Sequence, residues 1–165
     1  MKHRSFFVRH SLMAGVVLAQ AFGPAAWADA PSRPYHGSCA TVVTPLDEQF
    51  LQLHIDLDCI LTGLGKATGV ATQTNTVVSQ NGPVIVQVIA NTTTYTAANG
   101  DVLNQSFEGM ALLNLVTGEV QYMGTETFLG GTGRFADASG TSQLTGTASL
   151  FTGNGFYTVN GTIAY

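Results

Sequence analysis

Residues 130–140 read Gly-Gly-Thr-Gly-Arg-Phe-Ala-Asp-Ala-Ser-Gly, and the meaning of those glycines decides the fold. A dinucleotide fingerprint sets such a run between a buried strand and a helix whose N-terminus holds a pyrophosphate. Here the chain continues Thr-Ser-Gln-Leu-Thr-Gly-Thr, with no helical apolar stripe before the next turn. A P-loop needs Gly-Lys followed by Ser or Thr, and the run contains no lysine. Glycine also accepts left-handed backbone geometry, at bulges and tight barrel corners. The stretch therefore reads as a bend in a sheet.

The sequence on either side agrees. From residue 38 onward no helical period lasts three turns; alternation and β-branched residues dominate. Asn81-Gly82, Asn99-Gly100, Thr117-Gly118 and Gly153-Asn154-Gly155 punctuate the chain as hairpin turns. Between them lie expected strands at 38–44, 48–62, 66–79, 84–97, 102–116, 119–129, 139–151 and 155–165. Eight segments joined by short links describe an antiparallel up-and-down meander, which loses its exposed edges by closing into a barrel. A two-layer sandwich is the competing architecture, but sandwiches usually need long crossing connections. The alternation is clearest at 49–61. Leu51, Leu53, Ile55, Leu57, Cys59 and Leu61 fall on one face, and Gln52, His54, Asp56 and Asp58 on the other.

The N-terminus reads differently. Lys2, Arg4 and Arg9 form a basic head, residues 12–22 an apolar run, and Ala26-Trp27-Ala28 the small-x-small pattern of a signal peptidase site. Residues 1–28 are thus expected to be a cleaved signal peptide, 29–37 an extension, and 38–165 a single barrel domain. The apolar run falls short of the roughly 20 residues that span a membrane, so the mature chain should have no spanning helix. Export to the periplasm or medium would leave Arg33, Lys66 and Arg134 as the basic residues against ten acids. Nucleic-acid binding needs clustered cations and is excluded on this balance. Cys39 and Cys59, an isolated pair in an exported chain, are expected to form a disulfide. Such a link contributes about 3 kcal/mol in the chain-entropy model. A metal held by the pair is the alternative, but no further cluster completes a tetrahedral site.

Gly130-Gly131-Thr132-Gly133, followed by Phe135, Ala138 and Gly140, with Gly161 near the end, resembles the closing region of the allene oxide cyclase and dirigent barrels. Asn99-Gly100-Asp101 after a Thr-rich strand is similar to small exported bacterial members of that group. The resemblance implies an all-β, calycin-like barrel of eight antiparallel strands around a largely apolar cavity. In the plant relatives such cavities cyclise an epoxide or steer phenoxy radicals, without metal or nucleotide. It also implies an option of homo-oligomers, since relatives form dimers or trimers. The acid and base suspected in dirigents are replaced here by Arg134 and Ser139, and no motif fixes Pro45 and Glu48 to the cyclase's early-strand positions. The fold carries over and the chemistry does not.

Six polar residues are ligand-binding candidates. His54 and Asp56 share a strand face with Asp58, either as a solvated outer stripe or as an inward one. Ligands two residues apart sit about 7 Å apart along a strand, so a metal would need a neighbouring strand, and no metal site is assigned. Glu108 and Glu126 interrupt apolar or hydroxyl-rich segments. Either one is an outward, solvated carboxylate or, if it points inward, a group with a raised pKa suited to a general acid or base. Tyr95 and Tyr122 offer a wall with a hydroxyl, or plain core packing. Arg134 is placed to tie down its own bend through carbonyls or Asp137. No nucleophile elbow is present.

Three functions remain open at this level. The first is an exported barrel that binds a small apolar molecule, with cofactor-free isomerisation or cyclisation as its chemistry. The second is a non-catalytic structural or interaction protein of the periplasm or cell surface. The third is an eight-stranded outer-membrane barrel, suggested by the aromatic C-terminus at Tyr165 but lacking aromatic girdles.

Overall fold

A computed structural model of the protein describes residues 31–165; the signal-peptide assignment lies outside the described residues. Eight strands follow in order: β1 Ser32–Pro45, β2 Gln52–Leu61, β3 Gly65–Asn81, β4 Val84–Ala97, β5 Val102–Asn114, β6 Glu119–Gly131, β7 Ser139–Ser149 and β8 Asn154–Ala164. Each pairs antiparallel with the next, and β1 pairs with β8, closing the barrel. Closure pairs each strand on both sides over most of its length; the end of β3 beyond Asn75 pairs with β4 alone.

Two boundaries differ from the sequence expectation. β1 begins at Ser32, so residues expected to be an extension are part of the barrel. The segment Ser32–Tyr35 pairs with β8 alone; His36 bonds Thr62 just past β2, and β2 itself joins from Gly37. That one-sided pairing accommodates Pro34, which has no N–H to donate and reads as a strand breaker. β2 begins at Gln52 rather than 48. Its expected first residues form a turn, in which the Leu51 N–H donates to Asp47 Oδ1 at 2.8 Å and Phe50 adopts a φ of 58°.

Along β2 the burial alternates as the hydrophobic pattern requires, with Leu53, Ile55, Leu57, Cys59 and Leu61 inside. Cys39 and Cys59 are direct cross-strand partners and form a disulfide.

The glycine run at 130–140 is a bend, with no helix N-terminus for a phosphate. It starts at a bulge, where the β5–β6 register shifts between Leu103 and Gln105, and Gly130 has a φ of 82°. A single 3-10 turn, Gly133–Phe135, then carries Phe135 into the end of the barrel, fully buried. The Phe135 ring meets Tyr165 edge-on at 4.8 Å. Arg134 pairs with Asp101 on the β4–β5 turn at 3.5 Å and lies over the Phe135 ring. The sequence expectation ties Arg134 to its own bend through carbonyls or Asp137; its ion pair is with Asp101 instead. Around the plug, Tyr35, Leu61, Leu64, Leu103, Phe128, Ala138 and Ile163 fill the lower half.

Candidate ligand-binding cavity

The upper half is hollow, and the sequence explains why. An eight-stranded barrel is just wide enough for inward side chains to fill it. In the upper half many inward positions are small: Ala71 on β3, Gly109 and Ala111 on β5, Gly124 on β6, Gly146 and Ala148 on β7. Gly109 and Gly124 are cross-strand partners. A Cβ on either would come within 2.7 Å of Phe107 Cζ. The missing side chains therefore let the Phe107 ring lie against the wall. Gly146 does the same for Tyr122, whose ring carbons lie 2.6 Å from where a Cβ would be. What remains is a cavity of about 240 Å³, framed by Phe50 and Pro45 at the β1–β2 loop and by Leu150, Thr152 and Gly153 at the β7–β8 turn.

Its floor is a polar chain that crosses the barrel. Ser142 on β7 donates to Glu126 Oε2 on β6, its direct cross-strand partner. Gln105 Nε2 on β5 donates to Glu126 Oε1 at 2.6 Å and to the Tyr95 hydroxyl on β4 at 3.1 Å. Tyr95 and Tyr157, from β4 and β8, meet hydroxyl to hydroxyl at 2.5 Å. Glu126 and Tyr157 line the cavity, and Tyr95 stands behind them. Burial raises the Glu126 carboxyl to about 7, with the Ser142 and Gln105 hydrogen bonds pulling it partly back. Burial likewise holds Tyr95 and Tyr157 well above the ordinary tyrosine value, and pushes Tyr122 up to about 12. At neutral pH the floor thus holds one carboxyl near its midpoint among neutral hydroxyls. That arrangement can accept or release a single proton.

One side wall is also polar. On β3 and β4 the inward residues Gln73, Asn75, Gln87, Asn91 and Thr93 face the cavity. Thr93 donates to Asn91 Oδ1 at 3.1 Å, Asn91 Nδ2 to Gln73 Oε1 at 3.4 Å, and Gln73 Nε2 to Asn75 Oδ1 at 2.8 Å. Asn75 Nδ2 then donates to the Phe50 carbonyl at 2.8 Å, fastening the rim loop. Apolar walls flank this ladder, Ile55 and Leu57 on β2 and Phe107 and Leu113 on β5, with Leu144 on β7 across the barrel.

Of the six candidates from the sequence, the structure brings Tyr122 and Glu126 to the cavity and Tyr95 to its floor. It places His54, Asp56 and Glu108 outside. His54 Nε2 and Asp56 Oδ1 are 3.3 Å apart, with side chains 41% and 60% exposed. Strand alternation is the reason: Leu53, Ile55 and Leu57 take the inward positions of β2, and Phe107 takes the one beside Glu108. Among the described residues, no three His, Cys, Asp or Glu side chains gather as a metal site, and no helix is long and apolar enough to cross a membrane. Sequence reasoning missed Gln105, Ser142, Tyr157 and the amide ladder. Their signal was phase: Gln105 shares the face of Leu103 and Phe107, and Gln87 that of Ile85 and Ile89. No family model matches this chain, and no curated protein matches it as a relative.

Proposed function

We propose that the protein is an exported barrel that holds a small, largely apolar molecule in its upper cavity, with Glu126 as the proton-handling group for isomerising or cyclising it. The observation that carries the reading is one buried carboxyl, held by Gln105 and Ser142, at the floor of an otherwise uncharged cavity. A pKa near the working pH is what a general acid or base needs, and apolar walls with few convergent polar groups are what ligand sites have. The Cys39–Cys59 disulfide supports an oxidising compartment outside the cytoplasm. The allene oxide cyclase and dirigent resemblance of residues 130–140 supports a barrel built around an interior cavity, and the proton chemistry rests on Glu126 alone.

A second reading, a non-catalytic interaction protein, draws support from the outer face. Val88, Met110 and Met123 are exposed and are successive cross-strand neighbours on β4, β5 and β6. A membrane barrel is disfavoured because outward rows carry Thr68, Thr72, Thr92, Thr94 and Thr96 where a lipid-facing band would be apolar.

The test is titration of the purified protein with a neutral solvatochromic dye, alongside Ala111→Phe, which fills the cavity. Saturable one-to-one binding that Ala111→Phe abolishes, without loss of the β-sheet circular dichroism signal, is the expected result. Binding that survives in Ala111→Phe would move the site to the outer face and favour the second reading.

A further inference from the structure

The amide ladder has hydrogen-bonding capacity that its own bonds do not use. Gln87 is 4% exposed, lines the cavity, and makes no side-chain hydrogen bond among the described residues. Gln73 and Asn91 each spend one N–H of the amide on a neighbour, and each carries a second. Whichever way the amide planes are turned, the wall presents donors and acceptors together and carries no charge. Gln87 and Asn91 lie on one face of β4 with Ile89 between them, about 13 Å apart along the strand.

Among the described residues, the cavity lining contains no lysine, arginine or histidine. A ligand carboxylate or phosphate there would be buried without a counter-ion, beside Glu126, which is unfavourable. A plain hydrocarbon chain would leave the Gln87 amide desolvated and unpaired, which is also unfavourable. We infer that the cavity selects an uncharged ligand whose apolar body carries hydroxyl, carbonyl or amide groups along one edge, read by the amides of β3 and β4 with Gln87 as the principal specificity residue. The apolar side of such a molecule packs against Phe107, Leu113 and Leu144. This rests on the cavity-binding reading above and adds the chemical class of its ligand.

Three probes of one ring system separate the alternatives: naphthalene, naphthalene-2,7-diol, whose hydroxyls share one edge, and 2-naphthoate, each competed against a neutral solvatochromic dye on the purified protein. The diol should displace the dye about tenfold better than naphthalene, a difference of about 1.4 kcal/mol, and the naphthoate worst of all. Gln87→Met keeps the side-chain length and removes the amide. It should erase most of the diol preference, weakening the diol and tightening naphthalene, because no buried amide is then left unpaired. Diol and naphthalene binding equally to the unaltered protein would overturn the inference while the cavity reading stands, and that comparison needs no variant to fold. A diol preference intact in Gln87→Met would overturn the role of Gln87, and tightest binding of naphthoate would overturn the uncharged class. Dye that does not bind at all would defeat the cavity reading itself.

Discussion

The two halves of the barrel share strands, hydrogen-bond ladders and inward–outward alternation, yet one is packed and the other hollow. In the lower half the inward positions hold Leu61, Leu103, Phe128 and Ile163, and Phe135 plugs the end. In the upper half Ala71, Ala111, Gly109, Gly124 and Gly146 stand at equivalent phases. The contrast teaches that in a small closed barrel the backbone fixes which residues point inward, while their size decides whether the interior is core or chamber. Between the halves lies the Glu126 network, the level at which packing gives way to polar chemistry.

Breaking the lower half should have the largest effect. Phe135→Ala removes a fully buried ring and is expected to cost about 3–5 kcal/mol, read as a fall in Tm near 10 °C. Leu113→Ala, on the cavity wall, should cost less, because its side chain already borders open space. Equal costs for the two would contradict the contrast. Next in size is the disulfide. Replacing both Cys39 and Cys59 by Ser should destabilise by about 3 kcal/mol, measured by urea denaturation.

Glu126 gives a pH-dependent effect of similar or smaller size. Its folded pKa of about 7 lies above the ordinary 4.5, so between those values the folded state binds more protons than the unfolded chain. Stability should therefore fall as pH rises from about 4.5 to about 7 and level off above, by at most roughly 3 kcal/mol. Glu126→Gln should flatten that slope. A slope that persists in the variant would assign it to another group. The smallest effect is expected outside: His54→Ala, removing an exposed pair with Asp56, should change stability by less than about 0.5 kcal/mol.

Much of this contrast was legible in the sequence, and for identifiable reasons. Period-two alternation at Leu53 to Leu61 and the Asn-Gly turns expose eight strands, because strand phase and turn chemistry are local properties. The bend at Gly130 to Gly140 is legible because no helix follows it. The start of β1 was not, since Pro34 reads as a breaker until β8 is known to be its sole partner there. The site was half legible. Glu126, Tyr95 and Tyr122 attract attention by residue type, as His54, Asp56 and Glu108 do, and closure of the barrel decides which of them point inward. Gln105, Ser142 and Gln87 converge only when separate strands are brought into register, which composition along a single segment does not encode. The hollow itself depends on Gly109 facing Gly124 across two strands, a pairing invisible before closure.

The most direct test of the packed-and-hollow account is a 15N–1H correlation spectrum of the protein titrated with naphthalene-2,7-diol. The account predicts saturable shifts at Ala71, Ala111, Gly146 and Ala148, with Ala67, Ala97 and Ala138 of the lower half unmoved. Shifts centred on the lower half or on the outer strand faces, with the upper interior silent, would contradict it.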